Sequence, residues 1–260
     1  MVGVFAVFIF SIISKGLDGF NFNFLILTPQ SAGRAGGISS ILISSVLVLA
    51  VCMFFTIPIG IGAGYYLAEI ARPQNKSRKI IKWSLYILAS SPSIVFGLFG
   101  NAFFSTYLKL GFSILAGGLT LTCMCLPFFI FSVETAMSSV SAEVKDSATA
   151  LNLSKTTTLF KILLPSSLPF IISGLLLSIA RAVSETAALI FTSGSVDRMP
   201  ESLFDSGRVL SVHIYELSMN VTGGDQNAYK SAFVLICFVI VINLITSNVA
   251  KVIFKQKVSL

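Results

Sequence analysis

An arginine and a glutamate interrupt an otherwise apolar run at Ala180-Arg181-Ala182-Val183-Ser184-Glu185-Thr186. Charge is costly inside a bilayer, so ionisable residues at that depth call for a pathway or a partner. On a continuous helix, residues four apart lie one turn apart on one face, which would bring Arg181 and Glu185 together. A guanidinium presents a planar fork of donors that fits the oxygens of an oxyanion. Glu185 would orient that fork and balance its charge while the site is empty, and the Thr186 hydroxyl follows directly. Counted from Pro165, Arg181 stands about 24 Å along the helix, toward the outer half of a bilayer. The other reading is a self-contained Arg–Glu pair that fixes helix packing.

Other chemistries find few residues. His213 is the single histidine, and no His, Cys and carboxylate pattern has metal-ligand spacing. A catalytic Ser–His–Asp arrangement has no support, so no catalytic residue and no metal site are expected. A Walker A loop needs glycine directly before Lys-Ser or Lys-Thr. Lys76-Ser77, Lys155-Thr156 and Lys230-Ser231 follow Asn75, Ser154 and Tyr229 instead. ATP cannot bind in that manner, and any ATP-driven step needs a separate subunit. Cys52, Cys123, Cys125 and Cys237 all fall in apolar runs and read as small core residues.

The elements that hold these residues are membrane spans. The chain is 55% hydrophobic and 11% charged, against about 25% charged in soluble domains. Five windows carry no charge: 36–68, 83–108, 110–133, 162–180 and 231–250. Each reaches the roughly 18–20 residues that cross a bilayer. A sixth run, 1–14, lacks signal-peptide features and is expected to be a first span whose beginning precedes this chain, or else a short anchor lying in the membrane. Lysine and arginine collect around 72–82, 145–161 and 251–257, which places those loops and both termini in the cytoplasm. The net charge of +7 is therefore a topology signal. No basic patch interleaved with aromatics supports nucleic-acid binding. In the long outer loop 194–230, Val209 to Met219 suits a short interfacial helix. Glu134, at the inner end of its span, reads as an interfacial residue. The Gly60, Gly62 and Gly64 series suits close helix packing rather than a dinucleotide fingerprint. Pro58, Pro92 and Pro127 imply kinks or breaks.

Between two apolar runs, Asp146 to Pro169 is moderately polar. Residues 143–151 favour a helix, Asn152 sits where the chain must turn, and Ser154 can cap a second helix beginning at Lys155. Pro165 then falls at a tolerated first-turn position of the next span. Such a short helix on the membrane surface is either a rigid knob that passes force from a soluble motor or an ordinary amphipathic interfacial helix.

These residues resemble the EAA loop of binding-protein-dependent ABC importer permeases. Its pattern is E-A-A, three residues, G, about nine residues, an apolar residue and L-P. Here it reads Asp146-Ser147-Ala148, Asn152, Ile162 and Leu164-Pro165. Asn152 for glycine is a mild change, because Asn is the next-best residue in a left-handed turn. The resemblance covers nearly the whole chain and narrows to the phosphate-specific importers, whose PstA type has A-R-A-x-x-E-T-A-P-L-L-F-T. This chain has Ala180 to Thr192 as ARAVSETAALIFT, without the proline.

The resemblance implies an all-α integral membrane protein with six transmembrane helices and the type I ABC importer permease fold. It would form one transmembrane domain over residues 1–260, with a cytoplasmic coupling helix in about 143–164. It further implies a bacterial cytoplasmic membrane location and a PstC-type permease as the other half of the pore. A PstB-type ATPase dimer would bind ATP-Mg, and a PstS-type phosphate-binding protein would stand outside. This chain itself would hold no cofactor. Permeases for sulfate or molybdate form a close alternative. An ion-coupled secondary carrier and a membrane-embedded enzyme are the readings from other classes.

Overall fold

The computed structural model describes residues 2–72 and 74–258, with side chains except at 2, 5, 8 and 249–258. Runs without charge have satisfied their backbone internally, as lipid demands, by becoming helices. In chain order these are α1 Val2–Leu17, α2 Ser39–Ile70, α3 Lys76–Ser90, α4 Ser93–Tyr107 and α5 Ile114–Ser138. They continue as α6 Ala142–Ala150, α7 Lys155–Ser184, α8 Leu210–Met219 and α9 Asp225–Val258. The side chains of Lys251, Lys255 and Lys257, used above for orientation, lie outside the described ones.

Among the described residues α2, α5, α7 and the 225–248 part of α9 are each long and apolar enough to cross a membrane. A fifth candidate is the bent pair α3 and α4. The expected span 83–108 is formed by two helices that part at Ser91-Pro92, where proline implied a kink or break. Proline offers no N–H and pushes the preceding residue out of the helical region. Ser91 accordingly has φ −70° and ψ 138°. The first half starts earlier than expected because Asn75 accepts the Ser77 N–H at 3.0 Å and caps it. The sixth expected segment is α1, with 16 residues.

Two compact units divide the chain. The first contains 1–52, 92–121 and 182–241. Its core gathers Phe24, Ile38, Ile41, Leu210 and Val234. A two-residue hairpin, Pro29–Gln30 with Ala35–Gly36, closes the first outer loop. Helix α8 buries Leu210, Val212, His213 and Leu217 in this unit, Leu210 within the core cluster itself, and exposes Tyr215 and Met219. Its N-terminus is tied down by Ser45 Oγ, which accepts the Leu210 N–H at 2.8 Å. Gly33, at φ +92°, lets the backbone pass the His213 ring, where a Cβ would stand 2.7 Å from Cε1.

The second unit contains 53–91, 122–181 and 242–260. Phe129, Val133, Met137 and Ile171 form one buried cluster, and Leu67, Leu85 and Ile130 another. The glycine series of α2 works by close approach: a Cβ on Gly60 would lie 2.3 Å from the Phe129 ring, and one on Gly64 2.5 Å from Val133. Gly62 faces open space. Each of α2, α5 and α7 holds an internal proline (Pro58, Pro127, Pro169). Wide π turns stand at Tyr66–Ile70, Asn101–Tyr107 and Leu159–Leu163.

Candidate functional site

Helix α7 carries Arg181 in its last turn, and its guanidinium carbon lies 4.2 Å from the centroid of the Phe128 ring on α5. A stacked ring covers one flat face of the guanidinium, an arrangement worth about 2 kcal/mol once water is excluded. The same two helices meet below, where Gly174 packs on Ser132, and above, where Cys125 Sγ approaches the Ser178 carbonyl at 3.7 Å. Arg181 is thus carried by a firmly packed helix pair.

Glu185 directly follows Ser184, the last residue of α7, and its N–H donates to the Ala182 carbonyl at 3.4 Å. Its carboxylate accepts the Ala188 N–H at 3.2 Å and caps the short helix Ala187–Ile190. Its carbonyl accepts from Ser211 Oγ at 2.6 Å. Thr186 occupies the N-cap position with φ −118° and ψ −52°. The segment beyond is held by Asn101 Nδ2 on the Phe191 carbonyl at 2.7 Å and by the Ser113 N–H on the Thr192 carbonyl at 3.0 Å.

The coupling segment is built by local hydrogen bonds. Helix α6 stops at Asn152, which has φ 48°. The Leu153 N–H donates to the Ala148 carbonyl at 3.1 Å and the Asn152 N–H to the Thr149 carbonyl at 2.9 Å. That pair of bonds is the Schellman termination, which needs a left-handed residue at this position. Ser154 Oγ then accepts the Thr157 N–H at 3.1 Å, capping the next helix at Lys155. Pro165 falls in the first turn of the regular α-helical part, Leu164–Ser184. Asp146 and Ser147 are exposed, whereas Ala148 is only 2% exposed. Leu164 packs against the cluster around Phe129 and Ile171. Lys145 Nζ reaches Glu69 on α2 at 2.6 Å, and Tyr65 Oη donates to the Lys155 carbonyl at 3.3 Å. Both ends of the segment are therefore tied to the last turns of α2.

Two partners had no local signal in the sequence. Phe128 is one, since nothing in its neighbourhood announces a guanidinium from α7. The other is Glu134, at the inner end of α5, which is only 6% exposed. It lies 3.0 Å from Arg78 and 2.9 Å from Lys82, both on α3. Arg78 also donates to the Ala71 carbonyl at 3.3 Å. The i, i+4 spacing of the two cations on α3 was visible, but their shared carboxylate is distant in sequence.

Residues 57–258, which contain both the coupling segment and Arg181, match the family described as binding-protein-dependent transport system inner membrane component. The chain belongs to that family. As an inner membrane component of such a transport system it is a permease subunit. Among curated relatives, it is 32% identical to the probable ABC transporter permease protein YqgI of Bacillus subtilis (strain 168), over 98% of this chain and 90% of that one. It is also 32% identical to the phosphate transport system permease protein PstA of Yersinia pestis, over 96% of this chain and 83% of that one. A solved structure of a bacterial ABC transporter involved in the import of the acidic polysaccharide alginate superposes with TM-score 0.68. At 13% identity it covers 95% of this chain and 89% of its own, which establishes a shared permease fold.

Proposed function

We propose that this chain is one half of the pore of an ATP-driven importer of inorganic phosphate in the bacterial cytoplasmic membrane. The observation that carries the coupling half of this reading is the segment 143–164. A Schellman stop at Asn152, a cap at Ser154 and the Lys145–Glu69 contact make it a preformed projection fixed to α2. Exposed Asp146 and Ser147, and Leu151 at 72% exposure, offer a mixed polar and apolar tip. An ATPase dimer holding ATP-Mg would engage that tip from the cytoplasm. The lysines and arginines concentrated at 72–82 and 145–161 support that orientation, with both termini on the same side.

The substrate half rests on Arg181 and on the run ARAVSETAALIFT around it. Several relatives that share most of the chain's length carry the name phosphate transport system permease protein. A second permease of PstC type would complete the pore, and a PstS-type binding protein would deliver phosphate from outside. Nucleotide-driven closure of the ATPases would push on 143–164 and rock the helices between outward-open and inward-open states. Phosphate would pass the guanidinium of Arg181 with its oxygens toward the N–H edge. Glu185 and Thr186 would act by shaping the bend at the end of α7. The permease moves an ion and makes or breaks no covalent bond.

The test is uptake of labelled phosphate into proteoliposomes holding both permeases and the ATPase, with binding protein outside and ATP within. ATP-dependent uptake resistant to excess sulfate and molybdate is the expected result. Uptake of sulfate or molybdate in its place would move the chain to another oxyanion. Phosphate uptake that needs an ion gradient and no ATPase would sink the importer reading itself.

A further inference from the structure

We infer that the groove between α5 and α7 is the continuation of the anion pathway beyond Arg181, lined by the hydroxyls of Ser132, Thr135, Ser139 and Ser173; this rests on the importer reading above. The groove is open along one side, with a volume of about 430 Å³, and its other walls are Phe131, Ala136, Phe170, Gly174 and Leu177. At roughly 30 Å³ for each water, it holds on the order of ten, ample for a partly hydrated oxyanion.

The placement of the hydroxyls carries the argument. Helices α5 and α7 run antiparallel here, since Cys125 meets Ser178 while Ser132 meets Gly174. Moving along α5 from Phe128, which carries the guanidinium, the chain reaches Ser132, then Thr135, then Ser139 just past the helix end. On α7, Arg181 stands two turns above Ser173 at i, i+4, i+8 spacing, with Leu177 between. The two rows thus start from one stacked cation and descend on facing helices. From Phe128 to Ser139 the track is about 16 Å long. It ends three residues before α6, the start of the coupling segment.

A row of hydroxyls suits passage better than capture. Ser132 Oγ donates to the Phe128 carbonyl at 3.0 Å, Ser173 Oγ to the Pro169 carbonyl at 3.1 Å, and Ser139 Oγ to the Ala136 carbonyl at 2.8 Å. These back-bonds satisfy the donors inside an apolar span when no anion is near. A hydroxyl rotor can turn its proton to an oxyanion and return it to the carbonyl afterwards. Below Arg181 the groove offers no further cation, so nothing holds the ion strongly once it has passed. Thr135 and Ser173 are both exposed within the groove, where their hydroxyls are open to the ion.

The experiment uses the assembled complex in proteoliposomes and follows phosphate uptake and ATP hydrolysis together. Removing three hydroxyls (Ser132→Ala, Thr135→Val, Ser173→Ala) is expected to lower uptake at least tenfold while binding-protein-stimulated ATP hydrolysis persists. Thr135→Val alone, which keeps the side chain's shape, is expected to give a several-fold loss and guards against a folding failure in the triple variant. In parallel, Thr135→Cys is treated with a charged methanethiosulfonate, and labelling above that of the parent chain with its native cysteines is expected. Uptake unchanged in both variants would overturn the inference. So would a Thr135→Cys thiol that reacts only with an apolar maleimide, which marks a lipid-facing groove. If the parent complex itself moves no phosphate, the substrate reading fails; if the parent transports and the variants do too, only the groove fails.

Discussion

A guanidinium laid over an aromatic ring keeps its charge, covers one face and still donates from its edge. That arrangement at Arg181 and Phe128 separates charge from geometry, and substitutions can pull the two apart. Arg181→Ala is expected to abolish uptake. Arg181→Lys keeps a cation but loses the fork and the stacking, so uptake should fall about tenfold, equivalent to about 1.4 kcal/mol. Phe128→Leu removes the ring alone and should fall between Lys and the parent. Uptake rates compared at equal assembly and equal ATP hydrolysis decide the matter. A lysine variant as fast as the parent would leave charge alone as the requirement. The intramembrane Arg and Glu were plain in the sequence, but their relation was not. Spacing suggested a shared helical face; in the structure Glu185 follows the last residue of α7 and its carboxylate accepts the Ala188 N–H. Where a helix ends within a turn depends on what packs against it, and Ser211, distant in sequence, holds the Glu185 carbonyl.

At the scale of elements, α6 and the turn after it behave as the local chemistry demands. Asn152 with φ 48°, the Ser154 cap and the early stop of α6 all involve neighbours within six residues. That is why the coupling turn was legible from the chain alone. A β-branched residue resists the left-handed region by about 1–2 kcal/mol, and glycine accepts it freely. Asn152→Val is therefore expected to fray the turn and uncouple ATP hydrolysis from uptake, while Asn152→Gly should transport as well as the parent. The ratio of phosphate moved to ATP hydrolysed is the measurement. A valine variant with the parent's ratio would show that the turn need not be preformed. The broken span at Ser91-Pro92 was half legible. Proline announced an interruption, but a run of apolar residues on both sides argued for one continuous crossing. The ion pairs of half-buried Arg78 and Lys82 with buried Glu134 tie the start of α3 to α5, which explains why the first half docks as its own helix.

For the molecule as a whole, the first unit contains a pH-sensitive element in its core. His213 is fully buried, and that burial, with the Arg208 guanidinium nearby, holds its pKa down to about 4. Its Nε2 meets no hydrogen-bond partner among the described residues. In the unfolded chain the ring takes up a proton near its ordinary value of about 6.5, so between those two values the unfolded state binds more protons. Stability is thus complete above about pH 6.5 and is lost as pH falls toward 4. Thermal unfolding of the purified complex from pH 7.5 to 4.5 should show this decline, and His213→Gln should flatten it. An equal decline in the variant would assign the acid sensitivity to other groups.

The sequence by itself determined the membrane class, the long apolar helices, the glycine-mediated packing of α2 and the coupling turn. Each of these follows from composition or from contacts between near neighbours, which a linear reading contains. Only the tertiary structure decided that Phe128 carries Arg181, that Glu134 is shared by two cations, and that α8 with His213 belongs to a core. It also decided that the hydroxyls of α5 and α7 face one groove. Those contacts join residues dozens of positions apart. Which of several equally apolar helix faces meet is settled by side-chain packing, and periodicity alone does not encode it.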